Sequence, residues 1–203
     1  MGDDAVRINF VGTSELARAC YLGSQDVFDS VFWLPGGVDA IPCPRWAKER
    51  ERVCPEMFDA DTVVMIGVQV KIAAANLRGC CVIGFHPTLL PSGRGGSPIQ
   101  RQILDHEVPG CTFFRMTDKL DAGPVLGQVV LPWCQTSAEY YAACCAAAPA
   151  LLRLVLAGNQ IGRKQDDPPT YRKRLTDGEQ RRMSERTRDV VYSGHYRKLR
   201  LEK

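Results

Sequence analysis

The chain has 203 residues, of which 45% are hydrophobic and 24% charged, with a formal net charge of +3. This length is typical of one domain with a substantial core, and the composition argues against a disordered or fibrous chain. The nine cysteines lack the spacing of a zinc site, so we expect reduced thiols and no bound metal. The first residues, "MGDDAVRINF", are acidic and are not followed by a long apolar run, which predicts a cytoplasmic protein without a membrane span.

The first third of the chain alternates between strand and helix patterns. "VRINFVG" predicts a strand, and "TSELARACYLG" predicts a helix that Thr13 or Ser14 caps. "DSVFWLP" and "DADTVVMIGV" are typical of buried strands. The charged segment between them, "CPRWAKERERVCPEMF", is predicted to be helical.

The alternation continues through the middle of the chain. "KIAAANLRG" predicts a short helix, "CCVIGFH" a buried strand and "SPIQRQILDHEV" an amphipathic helix. "GCTFFRMT" and "PVLGQVVLPW" predict two strands, and a long apolar helix capped by Ser137 follows them. This order predicts an α/β fold with a doubly wound, mostly parallel, Rossmann-like sheet, whose site lies beyond the carboxyl ends of the strands.

From Arg163 onward the chain is rich in arginine and lysine. We therefore divide it into a catalytic-type domain over 1–162 and a basic C-terminal extension over 163–203, with a helix over "DGEQRRMSERTRDVV". A basic extension can meet nucleic acid or an anionic substrate, but more often it is a solvated surface helix. Because no recognition motif accompanies the charge, we do not expect nucleic-acid binding.

Two residues have positions that suit acid–base chemistry. His86 directly follows a buried strand, where an imidazole could transfer protons or polarise a carbonyl group; the alternative is a loop histidine that bonds only to backbone. His106 and His195 lie in segments that are typical of the surface. Asp121 precedes a glycine-proline turn, where its carboxylate could orient a nearby imidazole, although turn aspartates often bond their own backbone.

The stretch "GFHPTLLPSGRGGSPIQRQILDHEVPGCTFFRMTDKLDAGPVLGQ" resembles the catalytic half of the folate-dependent formyltransferases. That family includes the methionyl-tRNA, glycinamide ribonucleotide and sugar N-formyltransferases. Its hallmark is Asn-x-His-Pro/Ala-Ser-Leu-Leu-Pro, then Arg-Gly-x-x-Pro, then Leu-Asp-x-Gly, and "HPTLLP", "RGGSP" and "LDAGP" match most of it. "INFVGTSELA" and "QDDPPTYRKR" resemble further segments of the tRNA-directed and sugar-directed members. The resemblance extends from Val6 to Arg174.

The resemblance implies transfer of a formyl group from 10-formyltetrahydrofolate to a primary amine through a tetrahedral intermediate. It implies that His86 and Asp121 are the catalytic pair. The cofactor contacts that it implies are Val68, Gln69, Val70, Thr117, Asp118 and Gly123. The substrate-binding residues that we expect are Thr13, Ser14, Thr88, Arg94 and Gly95.

The chain departs from the family pattern at Gly84, which occupies the position of the family's asparagine. That asparagine donates to the oxyanion, and the loss of one such donor costs about 3 kcal/mol in transition-state stabilisation. Thr88, Gln69 or a water could replace it. The alternatives are an acyl or one-carbon transferase or a hydrolase with a different donor, and a non-catalytic relative that binds a ligand.

The expected acceptor is a small amine, either an amino sugar or an intermediate of a specialised pathway. The segment after Ala122 leaves little room for the additional C-terminal domain of the tRNA-directed enzymes, and "VGTSELAR" lacks the glycine spacing of the purine enzyme. The chain is also short between its second strand and the strand at 62–68, where the family usually has a further strand-helix crossover. The extension or a partner subunit in a homodimer could then supply the second wall of the pocket.

Overall fold

The computed structural model describes residues 6–35, 40–68, 72, 74–158, 161–166, 171–176 and 178–179. The four α-helices described there are α1 (Glu15–Leu22), α2 (Ala74–Gly79), α3 (Pro98–Asp105) and α4 (Ser137–Ala157). The first five strands are β1 (Ile8–Gly12), β2 (Ser30–Trp33), β3 (Lys48–Glu49), β4 (Thr62–Ile66) and β5 (Cys81–His86). The remaining strands are β6 (Arg94–Gly95), β7 (Gly110–Arg115), β8 (Val125–Val130) and β9 (Tyr171–Arg172).

Seven strands form one mixed sheet in the order β3-β2-β1-β4-β5-β7-β8. The first five in this order pair in parallel, whereas β7 pairs antiparallel with both β5 and β8. Successive residues of a strand alternate between the two faces, so Val64 packs in the core on one side of β4 and Val63 in the core on the other. This confirms the predicted α/β fold with a mostly parallel sheet that is covered on both faces.

The predicted helix over "CPRWAKERERVCPEMF" is wrong. Within residues 43–58 the structure has only the two-residue strand β3 and a 3-10 helix at Pro55–Phe58. Prolines interrupt this segment at both ends, and a proline inside a helix removes a backbone donor. Arg50 instead pairs with Glu56 at 2.7 Å across the surface. The described part of the connection between β2 and β4 therefore contains a short parallel edge strand and a 3-10 helix.

The cap of α4 is Thr136, not Ser137 as predicted. The Thr136 side chain accepts from the backbone N–H of Glu139, and the Glu139 carboxylate accepts from the Thr136 backbone in return. Ser137 is the first helical residue and is fully buried. By length and composition α4 could cross a membrane, but Tyr140, Cys144 and Leu152 belong to the protein core.

The beginning of the basic extension packs onto the domain. Arg163 and Val125 exchange backbone hydrogen bonds of 2.7 and 2.8 Å, and β9 pairs in parallel with β6. Leu175 is buried against Ile103 and Leu104 of α3. The helix that we predicted over "DGEQRRMSERTRDVV" lies almost entirely outside the described residues, as does His195.

Candidate functional site

His86 is the last residue of β5, at the carboxyl edge of the parallel part of the sheet. Its side chain is 7% exposed, and its Nε2 atom lies 2.9 Å from the carbonyl oxygen of Gly93. A carbonyl oxygen only accepts, so this contact requires a proton on Nε2. The strand thus ends in a buried imidazole at the edge of the sheet where the ligand sites of open α/β folds lie.

Asp121 lies beside this imidazole. Its Oδ2 atom is 3.6 Å from His86 Nδ1, an ion-pair distance that is longer than a hydrogen bond. The same oxygen accepts from the backbone N–H of Gly95 at 2.9 Å. Asp121 adopts a left-handed backbone conformation, with φ of 50°, which aspartate tolerates better than most residues.

The ring of His86 therefore faces one acceptor at each nitrogen. A neutral ring carries its one proton on Nε2 toward Gly93, whereas the doubly protonated ring also faces Asp121 with a positive charge at an ion-pair distance. The ring can therefore donate its Nε2 proton and hold a second proton at Nδ1 beside the carboxylate, which suits polarisation of a carbonyl oxygen and proton transfer. The structure thus places His86 and Asp121, the two residues predicted as a catalytic pair, next to each other.

The predicted substrate residue Thr88 is bonded within its own loop. Thr88 is fully buried, and its hydroxyl group donates to the Ser92 carbonyl oxygen at 2.6 Å. Its carbonyl oxygen accepts from the hydroxyl group of Thr112 at 2.6 Å. In this arrangement its hydroxyl proton is not available as a replacement oxyanion donor, so Thr88 holds the loop that carries Gly93.

Arg94 and Gly95, also predicted to bind substrate, are held by the C-terminal segment. Arg94 is 7% exposed, and its Nε and Nη2 atoms donate to Gln165 Oε1 at 3.0 and 2.6 Å. A β-carbon on Gly95 would lie 2.3 Å from the backbone oxygen of Arg172, so this position accepts only glycine. The sequence did not single out Gln165, and the segment "QDDPPTYRKR" that contains it was the available signal.

Thr13 and Ser14, the remaining predicted substrate residues, follow β1 at the same edge of the sheet. Both are buried, and the Ser14 side chain accepts from Ala17 N as the cap of α1. A β-carbon on Gly67, which follows β4, would lie 2.9 Å from Thr13 and 3.0 Å from Ser14. The loops after β1 and β4 therefore pack closely against each other.

The predicted cofactor residues divide into three groups. Val68 is partly buried next to the exposed Gly67, whereas Gln69 and Val70 lie outside the described residues. Thr117 and Asp118 lie in a loop at the surface, whose Leu120 is 58% exposed. Gly123 is buried, and a β-carbon there would lie 1.7 Å from the Arg115 carbonyl oxygen. Val68 and the loop at 117–120 are thus accessible to a ligand, and Gly123 is required by packing.

The side of β5 at Gly84 is closed by side chains from β7 and the residue that follows it. A β-carbon on Gly84 would lie 2.9 Å from Met116 Cγ and 3.1 Å from two ring atoms of Phe114. Gly84 and His86 are two residues apart on one strand, so their side chains point to the same face. Apolar groups therefore fill the space beside His86 in which an asparagine amide would stand.

Among the described residues, no group of three histidine, cysteine, aspartate or glutamate side chains is placed to hold a metal ion. The nine cysteines are all free thiols. The chemistry that this site offers rests on an imidazole, a carboxylate and backbone groups.

Comparison with known proteins identifies relatives of this arrangement. Residues 56–155 match the family model described as formyl transferase. A methionyl-tRNA formyltransferase from Caulobacter vibrioides is 35% identical over 134 residues, which cover 61% of this chain and 43% of the relative. The chain spans less than half the length of several curated relatives that it matches.

Solved structures share the fold at low sequence identity. A sugar N-formyltransferase from a Shewanella species superposes with a TM-score of 0.63 at 19% identity, over 83% of this chain and 76% of that protein. HypX from Aquifex aeolicus, solved in complex with tetrahydrofolic acid, superposes with a TM-score of 0.68 at 15% identity, over 86% of this chain and 31% of HypX.

Proposed function

Because the chain belongs to the formyl transferase family through its residues 56–155, we propose that it transfers a formyl group from 10-formyltetrahydrofolate to a primary amine. The observation that carries the proposal is the pair of the buried His86 and the partly buried Asp121, 3.6 Å apart at the carboxyl edge of the sheet. Formyl transfer needs a group that stabilises negative charge on the formyl oxygen and one that accepts the proton of the amine. An imidazole beside a carboxylate can do both.

Accessible residues on the loops that follow β4 and β7 fit a folate donor. The exposed Gly67, the partly buried Val68 and the surface loop at 117–120 offer peptide groups, and the exposed Leu120 offers an apolar contact. Ligand pockets combine such apolar surface with a few backbone donors and acceptors. When bound, 10-formyltetrahydrofolate supplies the formyl carbon that the amine attacks.

His86 would act through its Nε2 proton. In the structure Nε2 donates this proton to the Gly93 carbonyl oxygen, at an Nε2 to oxygen distance of 2.9 Å. A formyl oxygen that gains negative charge is a stronger acceptor than a neutral carbonyl, so it would compete for this proton. Asp121 would stabilise the positive charge on the ring and fix its orientation.

We propose a small amine, such as an amino sugar, as the acceptor. Support for it comes from the fold that the chain shares with the sugar N-formyltransferase. A second acceptor, the methionine attached to tRNA, is favoured by the 35% identity with the methionyl-tRNA formyltransferase. Both acceptors present a primary amine to the same pair of residues.

The test has a binding step and a product step. Titration calorimetry with a 10-formyl-dideazafolate should give saturable binding, and absence of binding at high micromolar concentration would overturn the donor assignment. Incubation with 10-formyltetrahydrofolate and a panel of amino sugars, small amines and methionyl-tRNA, followed by mass spectrometry, identifies the acceptor. Binding without any formylated product would instead favour the non-catalytic relative.

A further inference from the structure

The side-chain amide of Gln165 is fully hydrogen-bonded between Arg94, which follows the His86 partner Gly93, and the turn that carries Asp121. Its Oε1 atom accepts from Arg94 Nε and Nη2 at 3.0 and 2.6 Å. Its Nε2 atom donates to the carbonyl oxygens of Asp121 and Gly123 at 3.0 and 2.6 Å. These four contacts use both lone pairs and both protons of the amide.

The contacts of Gln165 close a ring around the carboxylate of Asp121. The Asp121 side chain accepts from Gly95 N at 2.9 Å, and the neighbouring Arg94 binds Gln165, which returns to the Asp121 carbonyl oxygen. Backbone and side chain of Asp121 are thus both fixed. Because Asp121 has a φ of 50°, where most residues are strained, its turn needs such external support.

The backbone on both sides of Gln165 is also anchored. Arg163 exchanges two hydrogen bonds with Val125, the first residue of β8, and β9 pairs with β6 at Arg94 and Gly95. Gly96 N donates to the Arg172 carbonyl oxygen at 2.8 Å. The amide is therefore held in place by bonds that do not involve Asp121.

The contact of Gln165 with Arg94 also connects the Arg94 loop to the Asp121 loop. Arg94 is 7% exposed, and the bonds that its guanidinium group makes to Gln165 are charge-assisted. Removal of the partner of a buried cation costs free energy of folding. Because Gln165 is that partner and also bonds the Asp121 turn, the Arg94 loop and the Asp121 loop are coupled through one amide.

We propose that Gln165 is a positioning residue for the reaction, which holds the Asp121 carboxylate against His86 from outside the region that matches the family model. This inference rests on the proposed function. Displacement of a catalytic group by about 1 Å can cost on the order of a hundredfold in rate. Loss of the amide should therefore lower kcat without removing any group that touches the substrate.

The kinetic test compares Gln165→Leu and Gln165→Glu with Gln135→Leu, which changes an exposed glutamine before α4. Gln165→Glu keeps an acceptor for Arg94 but loses both donors to the Asp121 turn. We expect kcat to fall at least about tenfold in both Gln165 variants, with a change in the amine KM of less than about threefold. Equal kcat in Gln165→Glu and the wild type, with formyl transfer intact, would overturn the inference and leave the proposed function standing.

A second readout does not depend on activity. The chain has three histidines, so the ring signals of His86 can be assigned in NMR spectra from their loss in His86→Ala. In Gln165→Leu these signals should shift toward their positions in Asp121→Asn, whereas Gln135→Leu should leave them unchanged. His86 signals that are identical in Gln165→Leu and the wild type would overturn the inference, even if no acceptor has been found.

Discussion

The side chain of Met116 occupies the space into which a side chain on Gly84 would extend, since a β-carbon there would lie 2.9 Å from Met116 Cγ. The glycine on β5 therefore leaves the space that the methionine after β7 fills. The formyltransferases that the sequence resembles have an asparagine at this position, which donates to the oxyanion. In this chain the position is a glycine, and the thioether of Met116 packs against the strand there. Restoring the asparagine must therefore also make room for it.

Gly84→Asn alone should destabilise the protein by about 1–3 kcal/mol, because it overpacks the contact between β5, Phe114 and Met116. Combined with Met116→Ala, which removes the closest atoms, the substitution should be better tolerated and should place an amide beside His86. The double variant should then transfer formyl groups at least about tenfold faster than Met116→Ala, since one oxyanion donor is worth a hundredfold or more. Urea unfolding and initial rates measure the two effects.

Gly79→Asn is the matched control for stability, because a β-carbon at Gly79 meets no atom within 4 Å. It should change the free energy of unfolding far less than Gly84→Asn does. Equal destabilisation by the two substitutions would contradict the packing account. A double variant that is slower than Met116→Ala would mean that Gly84 serves a different reaction.

Thr88→Val should destabilise the protein by about 1–3 kcal/mol, because it leaves the Ser92 carbonyl oxygen without its 2.6 Å donor. Thr88→Ser keeps the hydroxyl group and should lose less stability than Thr88→Val. If the role of Thr88 is to hold the loop, the rate of formyl transfer in Thr88→Val should fall only as far as the loop is disturbed. The rate of Thr88→Ser should then remain close to that of the wild type. A rate loss of a hundredfold in Thr88→Val with an unchanged melting temperature would identify Thr88 as the missing oxyanion donor.

The thiols of Cys20 and Cys144 should resist alkylation in the folded protein. Burial raises the pKa of Cys20, and a hydrogen bond with Cys111 together with burial raises the pKa of Cys144. A raised pKa lowers the thiolate fraction at a given pH, and the thiolate is the nucleophile. Mass spectrometry after iodoacetamide treatment at pH 8 should find partly exposed thiols such as Cys54 and Cys145 modified before Cys20 and Cys144. Modification of Cys20 at the same rate with and without urea would contradict the packing of α1 against α4.

The fold could be predicted largely because its signals are local. Continuous β-branched runs such as "DTVVMI" and the strand-turn-helix start at Ile8 depend on residues that are close in sequence. The charged segment 43–58 was misjudged because charge is compatible with a helix, while its prolines and its pairing of Arg50 with Glu56 favour an extended chain. Ser137 and Thr136 can both cap a helix, and the capping box that Thr136 forms with Glu139 decides between them.

The candidate site could be predicted only where its residues belong to short sequence motifs. His86 and Asp121 lie in two such motifs, and the structure places them together. The role of Gln165 depends on the return of the chain to the Asp121 turn 44 residues later, which no local pattern encodes. For the same reason, Thr88 and Arg94 looked available for substrate, whereas their polar groups are bonded to Ser92 and Gln165.

We propose that His86, supported by Asp121, carries out formyl transfer. The most direct measurement is the rate of formylated product in His86→Ala and Asp121→Asn, with His106→Asn as the control on a surface histidine that also has a positive φ. Asp121→Asn keeps an acceptor for Gly95 N and a residue that tolerates a φ of 50°, so it removes the charge with little change in fold. We expect the rate of product formation to fall at least about a hundredfold in His86→Ala, to fall less in Asp121→Asn and to be unchanged in His106→Asn. Product formation in His86→Ala at the wild-type rate would contradict this proposal.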